Sequence, residues 1–397
     1  MEALDTQVPR DAFQSIVSTK HSLAYTIFMR ILAIDMGTGT QDILLFDSEK
    51  PVENCVKMIL PSATQIAATR IRRASTEGRA IALTGVVAGG GPGNWALEDH
   101  LRAGGKAFAT PQAAQTLDDD LARVQAMGVT LVSEDELRDV DAEHVRLRDL
   151  DLDAICTALA AFEVETQFDG LALGCLDHGA APPGVSDRLF RFEHLRRTVE
   201  RRNDLLAFAF RPADLPTYLT RARAMVESAG NVAPVAFMDT GPAAALGAIH
   251  DERVADETER VVLNLGNMHL LGFHLMGRKI ASLFEHHTGE LSADQIVRFV
   301  QRMASGELEH AEVFGSKGHG AYHADRSLVR ARLPSMIALT GPQRGKIRQT
   351  VLKPYLAAPF GDMMISGCFG LLRGFGEVYP EARESLDSRL GPLVDAG

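Results

Sequence analysis

The stretch ILAIDMGTGTQDILLFDS, residues 31–48, sets two apolar runs around a short Gly/Thr turn, with Asp35 just before the first glycine. Gly37 and Gly39 permit backbone conformations that a side chain would forbid. Successive exposed N–H groups in such a turn form a concave anion nest, to which Thr38 and Thr40 add hydroxyl donors. Asp35 cannot bind a phosphate directly, but its charge suits Mg2+, held directly or through water. An ordinary tight turn with a solvated aspartate would use the same residues.

Other polar clusters invite chemistry. CLDHGAAPPGVSDRLFRFE, residues 175–193, follows a buried strand, and ligands of open α/β sheets gather at strand carboxyl ends. There Asp177 could serve as metal ligand or base, His178 as proton carrier, and Arg188 as a clamp on phosphate or carboxylate. The competing reading is a rigid loop whose Asp and Ser cap the next helix. In LFEHHTG, residues 283–289, Glu285 and His287 share one strand face, so His286 faces the other way. His319 and His323 of GSKGHGAYH could complete a His/carboxylate set, but the spacing matches no established zinc motif. A polar cleft lining without a metal is the simpler reading. The glycines of VVAGGGPGNW are contiguous and interrupted by Pro92, so they do not fit the GxGxxG dinucleotide pattern. Gly90 and Gly91 instead suggest a loop that approaches substrate closely, or a structural turn.

Composition narrows the classes. The chain has 397 residues, 46% hydrophobic, with 41 basic and 52 acidic residues for a formal net charge of -11. That length favours two domains over one. No basic stretch is interleaved with aromatics, which argues against a nucleic-acid partner, and RRTVERR at 196–202 reads as a solvated helix face. No apolar run approaches the ~20 residues of a membrane-spanning helix. Cys55, Cys156, Cys175 and Cys368 lie far apart, which fits reduced thiols in a cytoplasm.

These elements must position the candidate residues. Residues 1–28 lack a clean period and read as a poorly ordered extension. From Met29, strand and helix patterns alternate: ILAID and DILLFD as a hairpin, ENCVKMILP as a third strand, then a helix ending at Gly78. PQAAQTLDDDLARVQAMG reads as one helix, with Pro at its start and Gly at its end. A similar pattern begins near residue 235: strand PVAFMD, helix TGPAAALGAIHDE, a long meander from RVVLNLGNMHLLGFHL onward, and DMMISGCFGLLRGFGEVYP as strand, glycine turn and helix. The expectation is a first α/β domain over 29–230 and a second over 231–397.

Four segments in this order resemble the actin, Hsp70 and sugar-kinase superfamily. AIDMGTGTQDILLFD looks like its first phosphate loop, MDTGPAAALGAI its connecting helix, VVLNLGNMHLLGFHL its second phosphate loop, and MMISGCFGLL its adenosine-contacting turn. The resemblance implies two related ribonuclease H-like α/β domains around a central cleft, with ATP and Mg2+ between them. It places Gly37, Thr38, Gly39, Thr40, Asn264, Gly266, Asn267 and Gly367 at the nucleotide. Asp35, Asp177, His178 and Asp239 become the catalytic candidates, with Asp35 also the metal ligand. Gly90, Gly91, Arg188, Glu285, His287 and His319 become the substrate candidates. The second loop departs from the pattern: it opens with Asn264 rather than an aspartate, and Met268 and His269 crowd it.

From Met29 to about residue 380 the chain also resembles the domain of unknown function 1786 family. LTGVVAGGGP, ATPQAAQTLDDDL, DHGAAPPGVSDRLFRFE, MDTGPAAALGA, FEHHTG, GHGA and TGPQR carry that likeness. Members are often labelled pyruvate formate-lyase activating enzymes. A radical-SAM activase needs three closely spaced cysteines, which this chain lacks, so no iron–sulfur cluster is expected. The expectation is a cytoplasmic ATP-binding phosphotransferase or ATPase-type activator, acting on an unidentified small molecule or protein. A non-catalytic nucleotide or small-molecule sensor and a metal-assisted hydrolase using the histidines remain open alternatives, as does the oligomeric state.

Overall fold

The computed structural model describes residues 28–329 and 332–393. The extension expected over residues 1–28 lies, apart from Phe28, outside the described residues. Strand β1 (Arg30–Met36) is buried along its whole length and pairs antiparallel with β2 (Thr40–Asp47), which pairs in turn with β3 (Val56–Pro61). The β1–β2 turn closes through Gly37 N–H onto the Thr40 carbonyl at 2.9 Å.

The chain then leaves this sheet and builds another. Strands β4 (Ala80–Gly85), β5 (Ala107–Ala109), β6 (Val129–Leu131) and β7 (Ala142–Leu147) form an all-parallel sheet in the order β6-β5-β4-β7. It has an apolar core of its own, built around residues such as Ala68, Leu97 and Val145. Sequence reading folded this sheet into the first domain, because strand–helix alternation looks the same in a nested sheet as in a continuous one. The single helix expected over 111–128 is two short ones, Pro111–Ala114 and Leu121–Ala126. Asp118 accepts the Asp120 N–H and Asp120 accepts the Ala122 N–H, local bonds that compete with helix continuation.

The chain then returns to the first sheet with β8 (Gly170–Cys175), β9 (Ala209–Phe210) and β10 (Val235–Asp239), giving the order β3-β2-β1-β8-β10-β9. Strands β11 (Glu259–Leu265), β12 (His269–Met276), β13 (Lys279–His287), β14 (Gly320–His323), β15 (Met336–Thr340) and β16 (Tyr355–Leu356) form a third sheet, ordered β14-β13-β12-β11-β15-β16. In each large sheet three antiparallel strands lead into two further parallel ones, so β3-β2-β1-β8-β10 and β13-β12-β11-β15-β16 are the same ribonuclease H-like unit repeated. The architecture is thus mixed α/β, two such units around a cleft, with the small parallel sheet inserted in the first.

Two helices lie between the large sheets. Thr240–Ala248 follows β10 and reaches β11 and β15 of the other unit, while Ser366–Val378 follows the second unit and packs on β1, β8 and β10. The expected domain break at residue 230 therefore falls inside the first sheet, whose β10 begins at Val235, and the chain crosses over again near its end. The expected strand DMMIS is a turn, in which Asp362 accepts the Met364 N–H and Ser366 Oγ donates to the Met363 carbonyl.

Where the two helices cross, a β-carbon on Gly247 would fall 1.7 Å from the Ser366 carbonyl oxygen, and one on Gly370 would fall 1.9 Å from the Ala243 oxygen. Both obstacles are backbone and cannot swing aside. Gly247→Val should therefore destabilise the protein by about 3 kcal/mol, the upper end for overpacking. A urea midpoint that falls sharply is the expected reading, and an unchanged midpoint would show that the helices part at little cost.

Candidate functional site

The two hairpin turns are built alike. Gly266 N–H bonds the His269 carbonyl at 2.9 Å, as Gly37 N–H bonds that of Thr40. Gly37 thus corresponds to Gly266, Asp35 to Asn264, Thr40 to His269, and, by strand register, Asp42 to Leu271. The turns meet across one cavity of about 1190 Å³. A β-carbon on Gly39 would come within 2.2 Å of the Asn267 amide nitrogen. The sequence reading of Gly37 and Gly39 as conformationally unusual is corrected here. Neither has positive φ, and a β-carbon at 39 would meet only the movable Asn267 side chain of the opposite turn. The Gly37 N–H is also engaged within the turn rather than free for an anion.

Asp35, the penultimate residue of β1, lies inside the cavity, where it accepts a hydrogen bond from Thr240 Oγ1 at 2.5 Å. Gly367, in the first turn of its helix, lies so close that a β-carbon there would strike the Asp35 carboxylate. Directly opposite Asp35 in register is Asp42, also on the cavity wall, which sequence reading passed over. Burial pushes the Asp35 carboxyl up to about 6, and burial together with the Asp35 charge pushes Asp42 up to about 8. Asp42 Oδ1 is buried without a hydrogen-bond partner. Two adjacent carboxyls, one with an orphaned oxygen, match the oxygen donors that Mg2+ prefers, so the residues present fit that ion. Thr38, Thr40, Asn264, Gly266 and Asn267 line the same cavity.

Other candidates are placed differently. Asp239 and Glu285 do not reach the cavity. They flank the fully buried Arg191, whose Nη2 bonds Asp239 Oδ1 at 3.0 Å and whose Nε bonds Glu285 Oε2 at 3.2 Å. Asp239 also caps its helix through Gly241 N–H at 3.1 Å. Asp177 accepts the N–H groups of Gly179 at 2.7 Å and Ala222 at 2.9 Å, which makes it a loop brace rather than a free base. Arg188 lies at the cavity rim, with its guanidinium 4.7 Å from the Phe314 ring centre and Nη1 donating to the Gly318 carbonyl at 2.6 Å. Gly90 and Gly91 line the cavity from the inserted sheet, where Thr64 Oγ1 bonds the Gly90 carbonyl. Arg221 and Asp149 form a buried pair beside that loop, with Asp149 Oδ1 accepting the Gly89 N–H at 3.1 Å.

The histidines converge. His178 lies three residues past β8, His269 opens β12 and His319 precedes β14, and His178 Nε2 stands 3.2 Å from His319 Nε2. His287 sits beside them, its ring centre 4.7 Å from that of His319 and 4.9 Å from that of His269. Burial, with Arg191 nearby, holds His178 down to about 3, and burial holds His269 and His319 below the ordinary range as well. A ring so reluctant to take a proton is a poor general base near neutrality, against the proton-carrier role read from sequence. No spacing rule signalled this cluster, because its members come from three distant segments of the chain; His269 stood out only as a bulky residue in a tight turn.

A family model described as "Putative pyruvate format-lyase activating enzyme (DUF1786)" matches residues 88–346. The chain belongs to the DUF1786 family. No protein of curated function matches the sequence. Among solved structures, the DUF1786 chain is similar to a ROK family glucokinase from Streptomyces griseus in complex with glucose and AMPPNP, at 13% identity over 86% of this chain and 97% of that one, TM-score 0.34. It is also similar to the ROK hexokinase from Thermus thermophilus, at 12% identity over 91% and 97%, TM-score 0.28. The type II variant of the Aquifex aeolicus Ppx/GppA phosphatase gives 10% identity over 91% and 87%, TM-score 0.29. Scores this low carry no argument about activity, and the repeated strand order supports the fold by itself. In this DUF1786 protein the four cysteines are free and sit in separate parts of the fold, and no helix among the described residues is long and apolar enough to cross a membrane.

Two outcomes are expected. Arg191→Ala leaves Asp239 and Glu285 buried without their counter-charge, and should cost about 3–5 kcal/mol in denaturant unfolding; a near-neutral result would show that water replaces the guanidinium. Asp35 and Asp42, with folded pKa values above the unfolded value near 4, give stability that is present at low pH and lost as pH rises through about 6 and about 8. A divalent cation offsets that loss, so the gain in melting temperature from Mg2+ should grow from roughly pH 5 to about pH 8. Asp42→Asn should raise the Mg2+-free melting temperature at the upper pH and shrink the gain, and a pH-independent Mg2+ effect would place the ion elsewhere.

Proposed function

We propose that the protein binds a Mg2+–nucleotide, ATP in the first instance, between the two hairpin turns, and acts as a phosphotransferase or ATPase-type activator. The observation that carries this reading is the meeting of two identically closed glycine turns across one cavity, with paired carboxyls on one side only. The cavity volume exceeds the ~300–1,000 Å³ common for ligand sites, which leaves room for a nucleotide and a second reactant. Asp35 and Asp42 would hold Mg2+. When bound, the ion supplies charge neutralisation and Lewis acidity at phosphate oxygens.

The chain's own groups account for the rest. Thr38 and Thr40 present hydroxyl donors to phosphate oxygens from one side, and the amides of Asn264 and Asn267 present neutral donors from the other. Gly39 and Gly266 let backbone come close. Phosphoryl transfer with a loose transition state asks mainly for such positioning and charge stabilisation, and little from a general base. That suits a cleft whose nearest histidines resist protonation. The second reactant has the wall formed by Gly90, Gly91 and Arg188 to lie against.

Calorimetric titration with Mg-ATP, followed by a phosphate-release assay with and without candidate acceptors, tests the reading. Asp35→Asn should weaken Mg2+-dependent nucleotide binding by ~1–3 kcal/mol, the range for a hydrogen bond to a charged group, while the fold survives. Wild-type affinity in this variant would put the phosphates elsewhere. Binding without turnover would favour the sensor reading, to which the neutral Asn264 lends support.

A further inference from the structure

We propose that His178, His269 and His319 form a binding site for one divalent transition-metal ion of the Zn2+ class, at the seam between the two units. Each ring offers one nitrogen, and the three nitrogens lie within 4.8 Å of one another. In tetrahedral coordination, two imidazole nitrogens at ~2.0–2.1 Å from zinc stand about 3.3 Å apart. The His178–His319 separation of 3.2 Å is close to that value.

Proton placement alone does not satisfy the cluster. If one of three converging nitrogens carries its proton, it can donate to a second and leaves the third unmatched. In agreement, His269 Nε2 is buried without a hydrogen-bond partner. Leaving such atoms unmatched is unfavourable, whereas a cation draws on three lone pairs at once. The depressed proton affinity of the rings keeps them in the neutral form that metals bind. The nearby positive groups are already matched: Arg191 by Asp239 and Glu285, and Arg221 by Asp149.

The donor set selects the ion. Three imidazoles favour Zn2+ and its borderline neighbours over Mg2+, which prefers the oxygens of Asp35 and Asp42. One cavity would thus hold a hard cation beside the first turn and a borderline one beside the second. His178 and His269 line the cavity while His319 is fully buried behind them, so the remaining coordination position faces the ligand space. Three protein ligands with an open position is the pattern of zinc sites that do chemistry. The ligand suited to that position is an anionic oxygen, from a phosphoryl or carboxylate group or from water. Because His178 comes from the first unit and His269 and His319 from the second, the ion would also tie the units together.

This inference stands apart from the nucleotide reading, and its test uses metal alone. The full chain, prepared without chelator, is assayed for bound metal, then stripped and titrated with Co2+. The expected result is one equivalent per chain, d–d absorption typical of low coordination number, and displacement by Zn2+ but not by Mg2+. His178→Ala and His269→Ala should each weaken the ion at least tenfold, and the rise in melting temperature that Zn2+ gives the wild type should vanish in both. These two residues are chosen because they are half-buried, so that circular dichroism and melting without metal can certify the fold. Asp35→Asn should bind Co2+ as the wild type does. Absence of the Co2+ absorption from the wild-type protein, or its persistence in both folded histidine variants, would overturn the proposal.

Discussion

Two helix backbones cross in the middle of this protein with no room for a side chain between them, and the placement of everything else follows from that contact. Gly247 and Gly370 let Thr240–Ala248 and Ser366–Val378 approach until carbonyl oxygens of each helix lie where β-carbons of the other would be. Each helix then lies across the sheet of the opposite unit, and one apolar core, with Ile31, Ala243, Val262 and Phe369 among its members, serves both. The crossing sets the spacing of the two sheets and hence the gap between their hairpin turns. It also brings Thr240 and Gly367, at the starts of these helices, against Asp35.

The cleft that results is electrostatically unusual. Burial shifts Asp35 and Asp42 toward their protonated forms and His178 and His269 toward their neutral forms. Such imidazoles are poor proton carriers near neutrality and well suited to donating lone pairs to cations. Arg191, behind the wall, and Arg221, on it, are each compensated by close carboxylate partners.

Much of the fold was legible because it rests on local signals. Both glycine-turned hairpins, the meander of β11 to β13 and the small-residue helix at 240–248 follow from apolar runs and turn residues that a single stretch of sequence displays. The domain boundary was not legible, since β10 and Ser366–Val378 belong to the first unit only through pairing and packing with distant segments. The inserted sheet hid for a related reason: its strands and helices alternate as the host's do. For the site, Asp35 could be read from its place before a glycine turn. Asp239 and Glu285 misled because their partner, Arg191, lies 48 and 94 residues away, and no spacing announces a buried ion pair of that kind. The histidine cluster needed three distant segments to be folded before it existed.

The likeness of the two hairpins has a directional consequence. A cleft built from a repeated unit has an approximate twofold relation between its walls, and a phosphate chain laid between equal walls could lie in either of two senses. Here the walls are unequal: Asp35 and Asp42 stand where the other unit has Asn264 and Leu271, and His269 stands where the first has Thr40. The repeat supplies the shape, and these substitutions supply polarity, so a chain with distinguishable ends has one preferred heading through the molecule.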